Sequence, residues 1–253
     1  MDGGAAARIA RLAIEGSPPG EPLRILEIGA GTGQLTTALL DQCADVTAIE
    51  LDRDLIAILR SREELAGAAI VEADALDFDY AGFANGKRWR VAGNLPYNIA
   101  TPLMMRLIEM QHGPEVLVIM IQKDVAARLM ARPSTPAYGS LSIAVQYAMQ
   151  IERAFVLGPS VFYPQPKVDS SVVRLTRRSQ PAVSVHDPVL FGQVARGAFA
   201  YRRKTLANSL SLALGLERAT IASALRAAGL DTEIRGEQLS LSDFAKLTDR
   251  LAG

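Results

Sequence analysis

The run Asn94-Leu95-Pro96-Tyr97-Asn98 follows a short, apolar, strand-like segment, Trp89 to Gly93, and precedes a helix-like one, Ala100 to Met110. Those residue types can grip a planar amine. An adenine amino group is a poor nucleophile because its lone pair is spread into the ring, so a catalyst must draw its two protons toward acceptors and hold the nitrogen tetrahedral. The Asn94 side-chain oxygen and the Leu95 main-chain carbonyl are the acceptors on offer. Pro96 fixes its own φ and pushes Leu95 out of helical geometry, and Tyr97 presents a ring face on which a base can stack. Such chemistry needs no general base. An ordinary strand-to-helix turn can carry the same residues, so the motif does not decide by itself.

The elements that must position this turn alternate along the chain. Strand-like Arg24–Ile28, Asp45–Glu50, Ala69–Glu72, Trp89–Gly93 and Val116–Ile121 are interleaved with helix-like Gln34–Gln42, Asp52–Arg60 and Ala100–Met110. Helical patterns near Lys123–Ala131 and Gly139–Met149 follow. The fold class this predicts is α/β, a doubly wound, Rossmann-like, mostly parallel sheet, with ligands at the carboxyl ends of the strands. Glu152–Leu157 and Ser171–Thr176 read as a closing antiparallel pair. Beyond the polar stretch Arg177–Val185 only helical patterns remain: Asp187 and Pro188 mark a start, Gly229 a stop, and Ser240 with Asp243 a capping box. The expected division is a catalytic domain over 1–180 and a small all-helical domain over 181–253.

With 253 residues and 49% hydrophobic content the chain can bury one substantial core and a smaller second one. No apolar run reaches the roughly 20 residues of a membrane span and no signal peptide is legible, so a cytoplasmic protein without a membrane partner is expected, acting as a monomer. One cysteine, Cys43, permits no internal disulfide, and with two histidines, His112 and His186, it gives no metal-ligand spacing. Cys43 reads as a core residue. The formal net charge is zero, but residues 1–120 hold 10 Lys and Arg against 17 Asp and Glu, and residues 121–253 hold 17 against 10. The second half is therefore the part suited to a polyanion.

Glu27-Ile28-Gly29-Ala30-Gly31-Thr32-Gly33 closes the first strand and opens the first helix, where glycines let a ligand approach the backbone. Dinucleotide-binding enzymes share such loops. Glu50, at the end of the second strand, is placed to hold ribose hydroxyls, and Asp74, after the third, to accept from an adenine amino group. An acidic residue inside the loop, Glu27, suits a cationic ligand better than a pyrophosphate, which favours S-adenosylmethionine over a nicotinamide cofactor. The densest basic cluster is Arg202-Arg203-Lys204, with Lys167, Arg174, Arg177, Arg178, Lys123, Arg128 and Arg132 as neighbours on an expected phosphate track.

Four separated stretches, Glu27–Gly33, Ile49–Leu55, Gly93–Pro102 and Phe162–Leu175, together resemble the small-subunit rRNA adenine N6,N6-dimethyltransferases. The similarity extends to Arg202–Leu210 and Gln238–Phe244 and covers the chain from about residue 8. It implies that Gly29, Ala30, Gly31, Glu50, Asp74 and Asn94 line the S-adenosylmethionine site, that Leu51 and Ala75 flank its adenine, and that Asn94 to Tyr97 grip the target base with Phe162 on its other face. Lys167 and the 202–204 cluster would then bind RNA. The implied reaction transfers two methyl groups to N6 of each of two adjacent adenosines in the 3′-terminal hairpin loop of 16S rRNA during small-subunit assembly, leaving S-adenosylhomocysteine. Unpaired loop bases are the ones most readily splayed out and sandwiched by aromatic rings. Members of that family normally begin with a segment bearing Gly-Gln-x-Phe-Leu, whereas this chain starts Met1-Asp2-Gly3-Gly4, so weaker cofactor binding than in a relative with that segment is expected.

Other readings remain open on sequence grounds. A related enzyme acting on 23S rRNA differs in the stretches around Lys167 and Arg202. A DNA adenine methyltransferase more often carries Asp at the position of Asn94. A binding-only ribosome-assembly factor of the same fold, and a dehydrogenase resting on the glycine loop alone, complete the set.

Overall fold

The computed structural model describes residues 2–17, 23–42, 45–96, 98–161, 165 and 168–253. Its first half runs α1 (Gly3–Ile14), β1 (Arg24–Ile28), α2 (Gln34–Leu40), β2 (Asp45–Glu50), α3 (Arg53–Ser61), β3 (Ala68–Glu72), α4 (Tyr80–Ala84), β4 (Trp89–Asn94) and α5 (Ala100–Glu109). Then come β5 (Val116–Gln122), α6 (Lys123–Leu129), α7 (Ser140–Ala148), β6 (Met149–Leu157), β7 (Ser170–Arg177), α8 (Pro188–Ala200), α9 (Leu206–Leu214), α10 (Arg218–Ala227) and α11 (Leu241–Ala252).

The seven strands form one sheet in the order β3-β2-β1-β4-β5-β7-β6. β3, β2, β1, β4 and β5 are parallel, and β7 runs antiparallel to β5. β4 and β5 are buried along nearly their whole length, as continuous apolar runs must be when helices cover both faces. From β1 the chain winds outward through β2 and β3, then returns to place β4 on the other side of β1. That reversal is the switch point at which a doubly wound sheet opens a crevice.

α1 has no counterpart in the sequence reading. Ala6, Ile9, Ala10 and Ala13 form one stripe packed with Ile25, Leu35, Leu39, Val116 and Val118. Asp2 caps its start by accepting from the Gly4 N–H at 3.2 Å. Its carboxyl end, where carbonyls lack helical partners, is met by two arginines. Arg90 Nη1 donates to the Ala13 and Glu15 carbonyls at 2.7 and 2.9 Å, and Arg174 donates from Nε to Leu12 at 3.3 Å and from Nη2 to Glu15 at 3.1 Å.

The chain divides into two units, residues Met1–Ala126 with Gln150–Arg177, and Ala127–Met149 with Arg178–Gly253. A single boundary after residue 180 does not describe this, because residues 127–149 belong with the helices. The reason is packing: Tyr138 and Ile143 join Phe191, Val194, Leu206, Leu210, Phe244 and Leu247 in one core, and the Tyr138 hydroxyl donates to the Leu239 carbonyl at 2.7 Å. Asp187 caps α8 through the Val189 and Leu190 N–H groups, and Ser240 with Asp243 forms the capping box of α11.

Candidate active site

β1 and β4 deliver the two motifs to the same crevice. They pair in parallel with Ile28 opposite Gly93, so the glycine turn after β1 and the Asn94 turn ending β4 emerge side by side. Gly93 is what permits this approach: a Cβ there would stand 2.5 Å from the Ile28 carbonyl oxygen. Gly29, at φ +75°, lies so close that a Cβ would stand 3.3 Å from the Asn94 carbonyl oxygen. Asn94 is exposed while Leu95 is buried, its N–H donating to the Met120 carbonyl at 3.2 Å. The Pro96 carbonyl, rather than that of Leu95, takes the first N–H groups of α5, those of Ile99 and Ala100 at 3.1 and 3.0 Å.

Glu50 does more than its sequence position suggests. Oε2 accepts from the Gly31 N–H at 2.9 Å, and Oε1 accepts from Leu51 and Asp52 at 2.9 and 3.1 Å. One carboxylate thus ties the glycine turn to the start of α3, which Asp52 caps through Asp54 and Leu55. Ala30 is buried, and Leu51, between β2 and α3, is left 61% exposed. Asp74 closes the turn after β3: its Oδ1 accepts from Leu76 at 2.8 Å and its carbonyl from Asp77 and Phe78. Ala75 next to it is buried.

Glu27 is the electrostatic outlier. It lies on β1 opposite Ala48 and Ala92, is 1% exposed, and its Oε2 has no hydrogen-bond partner among the described residues. Burial pushes its carboxyl up from 4.5 to about 8. The Thr36 hydroxyl stands close enough to oppose that rise, although the pair falls outside hydrogen-bond geometry, and the Glu50 carboxylate adds to it. A buried acid with an unsatisfied oxygen beneath a glycine turn is suited to meet positive charge.

Tyr97, Phe162, Lys167 and Cys43 lie outside the described residues. Arg202, Arg203 and Lys204 are exposed in the turn joining α8 to α9. Three other members of the expected phosphate track donate to backbone carbonyls, as Arg202 also does to that of Pro136 at 3.4 Å. Arg174 holds the end of α1. Arg177 donates to the Pro114, Ile108 and Leu107 carbonyls at 3.1, 3.1 and 3.0 Å, and burial lowers its pKa. Arg178 donates to the Met149 carbonyl at 3.1 Å. Arg174 and Arg177 each donate from all three guanidinium nitrogens within the fold and are not free to meet phosphate, whereas Arg178 donates from Nε alone among the described residues. Lys123 pairs with Asp169 at 3.2 Å. Composition reported the charge of these residues correctly but not where it is spent.

Residues 7–252 match the family described as ribosomal RNA adenine dimethylase. The ribosomal RNA small subunit methyltransferase A of Pseudomonas aeruginosa is 44% identical over 236 residues, covering 92% of this chain and 85% of that protein. Its counterpart in Streptococcus mutans is 43% identical over 238 residues, covering 90% and 82%. Among solved structures, a dimethyladenosine transferase from Plasmodium falciparum superposes with a TM-score of 0.77 at 25% identity, covering 97% of this chain and 94% of that one. The 23S rRNA methyltransferase ErmE superposes at 0.70 with 24% identity over 100% and 99%, a likeness of fold. The sheet order, the apposed glycine and Asn94 turns and these matches agree: the chain belongs to the ribosomal RNA adenine dimethylase family.

Proposed function

We propose that this protein dimethylates N6 of two adjacent adenosines in the 3′-terminal hairpin loop of 16S rRNA, using S-adenosylmethionine, during assembly of the small ribosomal subunit. The observation that carries the reading is the apposition of Gly29 against Asn94 at the β1/β4 switch point, which brings a cofactor turn and an amine-gripping turn to one place. The relatives' names favour the small subunit over 23S rRNA.

The residues fit the cofactor. Gly29 and Gly31 adopt positive φ, which lets the backbone come close to a ligand, and Glu27, two residues before Gly29, keeps a buried oxygen without a hydrogen-bond partner among the described residues. Glu50, Leu51, Asp74 and Ala75 sit at the ends of β2 and β3, where a nucleoside would lie. S-adenosylmethionine supplies the methyl group. The chain's own work is to orient and polarise the acceptor. The Asn94 side-chain oxygen and the Leu95 carbonyl accept from the adenine amino group and stabilise the charge that develops on it. Alignment of the two reactants supplies most of the rate, since effective molarities of well-held groups correspond to roughly 7–11 kcal/mol of barrier. A second transfer requires the site to tolerate one N6-methyl, so that the first product can return as substrate.

Arg202, Arg203 and Lys204 are the candidate phosphate contacts, and Tyr97, Phe162 and Lys167 the candidate partners of base and backbone. The protein acts as a cytoplasmic monomer on this reading; among the described residues no helix is long and apolar enough to cross a membrane. The test is transfer of labelled methyl from S-adenosylmethionine to undermethylated small subunits by the protein and by Asn94→Ala. Strong labelling by the first and little by the second supports the reading. Equal labelling refutes the role of Asn94.

A further inference from the structure

The turn carrying Asp74 and Ala75 is fastened from outside. The Ala75 carbonyl accepts from the Tyr80 hydroxyl at 2.7 Å, a buried bond between residues five apart. Tyr80 is 1% exposed, and its ring stacks on Trp89 of β4 at 6.0 Å between centroids and 18° between planes, with Phe78 edge-on at 5.1 Å. From α5, Arg106 sets its guanidinium carbon 5.1 Å from the Tyr80 ring centroid and donates from Nη2 to the Phe78 carbonyl at 3.1 Å. α5 is the helix that begins directly behind the Asn94 turn. The loop after β3 is therefore clamped at Ala75 by a hydroxyl and at Phe78 by a guanidinium.

Resting on the reading of Asp74 and Ala75 as the adenine-binding pair, we infer that Tyr80 is a positioning residue for the cofactor's base: its hydroxyl fixes the Ala75 carbonyl and so the direction in which the Asp74 carboxylate meets the exocyclic amino group. A phenylalanine would fill the same aromatic cluster, so the packing requires the ring and the loop requires the oxygen. Burial holds the phenol pKa up to about 12, which keeps the donor protonated at any working pH. Arg106 is the auxiliary clamp.

The experiment is calorimetric binding of S-adenosylhomocysteine and of S-inosylhomocysteine, which carries a carbonyl where adenine carries its amino group, to the protein and to Tyr80→Phe. The expected result is a rise of about five- to twentyfold in Kd for the adenine ligand and less than about twofold for the inosine ligand, so that discrimination between them falls. kcat at saturating S-adenosylmethionine and KM for rRNA stay within about twofold. A hydroxyl of merely structural value would lower the melting temperature and leave the Kd ratio intact, which overturns the inference. Arg106→Met, at an exposed position, gives a second reading of the same clamp and shifts the ratio in the same direction by about two- to fivefold. Unchanged ratios in both variants also overturn it. Asp74→Ala separates the two levels: if it keeps the parental ratio, the adenine-binding reading itself fails; if it loses the ratio while Tyr80→Phe and Arg106→Met do not, only the clamp fails.

Discussion

Glu27→Gln isolates the electrostatic cost of the buried carboxyl. Folding raises the pKa of Glu27 from 4.5 to about 8, so between those values the folded chain holds a proton that the unfolded chain has released. The folded state binding more protons, stability falls as pH rises through that window and levels off above about 8. Each unit corresponds to 1.36 kcal/mol, which puts the ceiling near 5 kcal/mol across the window, a large share of a domain's stability. Glutamine is near in shape, carries no charge at any pH and removes that dependence. Urea unfolding at pH 5.5, 7 and 8.5, followed by the fluorescence of Trp89, serves as the assay, since Trp89 is the single tryptophan, is buried, and belongs to the same unit as Glu27. Glu27→Gln should gain on the parent by up to about 1.4 kcal/mol per pH unit between pH 5.5 and 8. Stability curves that run parallel over this range would show that Glu27 is ionised in the folded chain and refute the reasoning.

Asn94→Ala should lose roughly 10²–10³ in kcat, the scale of removing one preorganised partner of a developing charge, with unchanged circular dichroism because Asn94 is exposed. Gly93→Ala should destabilise by about 2 kcal/mol or more in denaturant titration, since its Cβ would meet the Ile28 carbonyl oxygen at 2.5 Å and part β1 from β4. Arg177→Met should cost about 2–4 kcal/mol of stability by stripping three carbonyls of their donor, while leaving the salt dependence of rRNA binding as it was. Arg203→Ala should do the opposite, lowering the slope of log K against log salt by about one with little change in melting temperature.

The strands were the legible part of the fold. β1, β2, β4 and β5 begin and end within a residue of where apolar runs and turn residues place them, because buried parallel strands leave continuous hydrophobic segments. α1 was not legible: its buried stripe is three alanines and one isoleucine behind two glycines, a weak signal whose meaning depends on Arg90 and Arg174 arriving from strands far along the chain. The helical unit's claim on residues 127–149 is likewise set by the distant partners of Tyr138 and Ile143. Within the proposed site, Glu27, Glu50, Asp74 and Asn94 are singled out by residue type and place in the sequence, and the fold sets them at or just beyond the ends of β1, β2, β3 and β4. What a linear reading could not assign was which arginines are taken up by carbonyls of the fold: Arg174 and Arg177 look like the exposed Arg203 until the chain is folded.

The central claim is that a cofactor turn and an amine-gripping turn share one crevice and act on unpaired adenines. Mass spectrometry of nuclease fragments from 16S and 23S rRNA, taken after incubating undermethylated ribosomal subunits with the protein and S-adenosylmethionine, tests it most directly. The account predicts two adjacent N6,N6-dimethyladenosines near the 3′ end of 16S rRNA and none in 23S rRNA. Methyl groups confined to 23S rRNA, or carried on an atom other than N6, would contradict it.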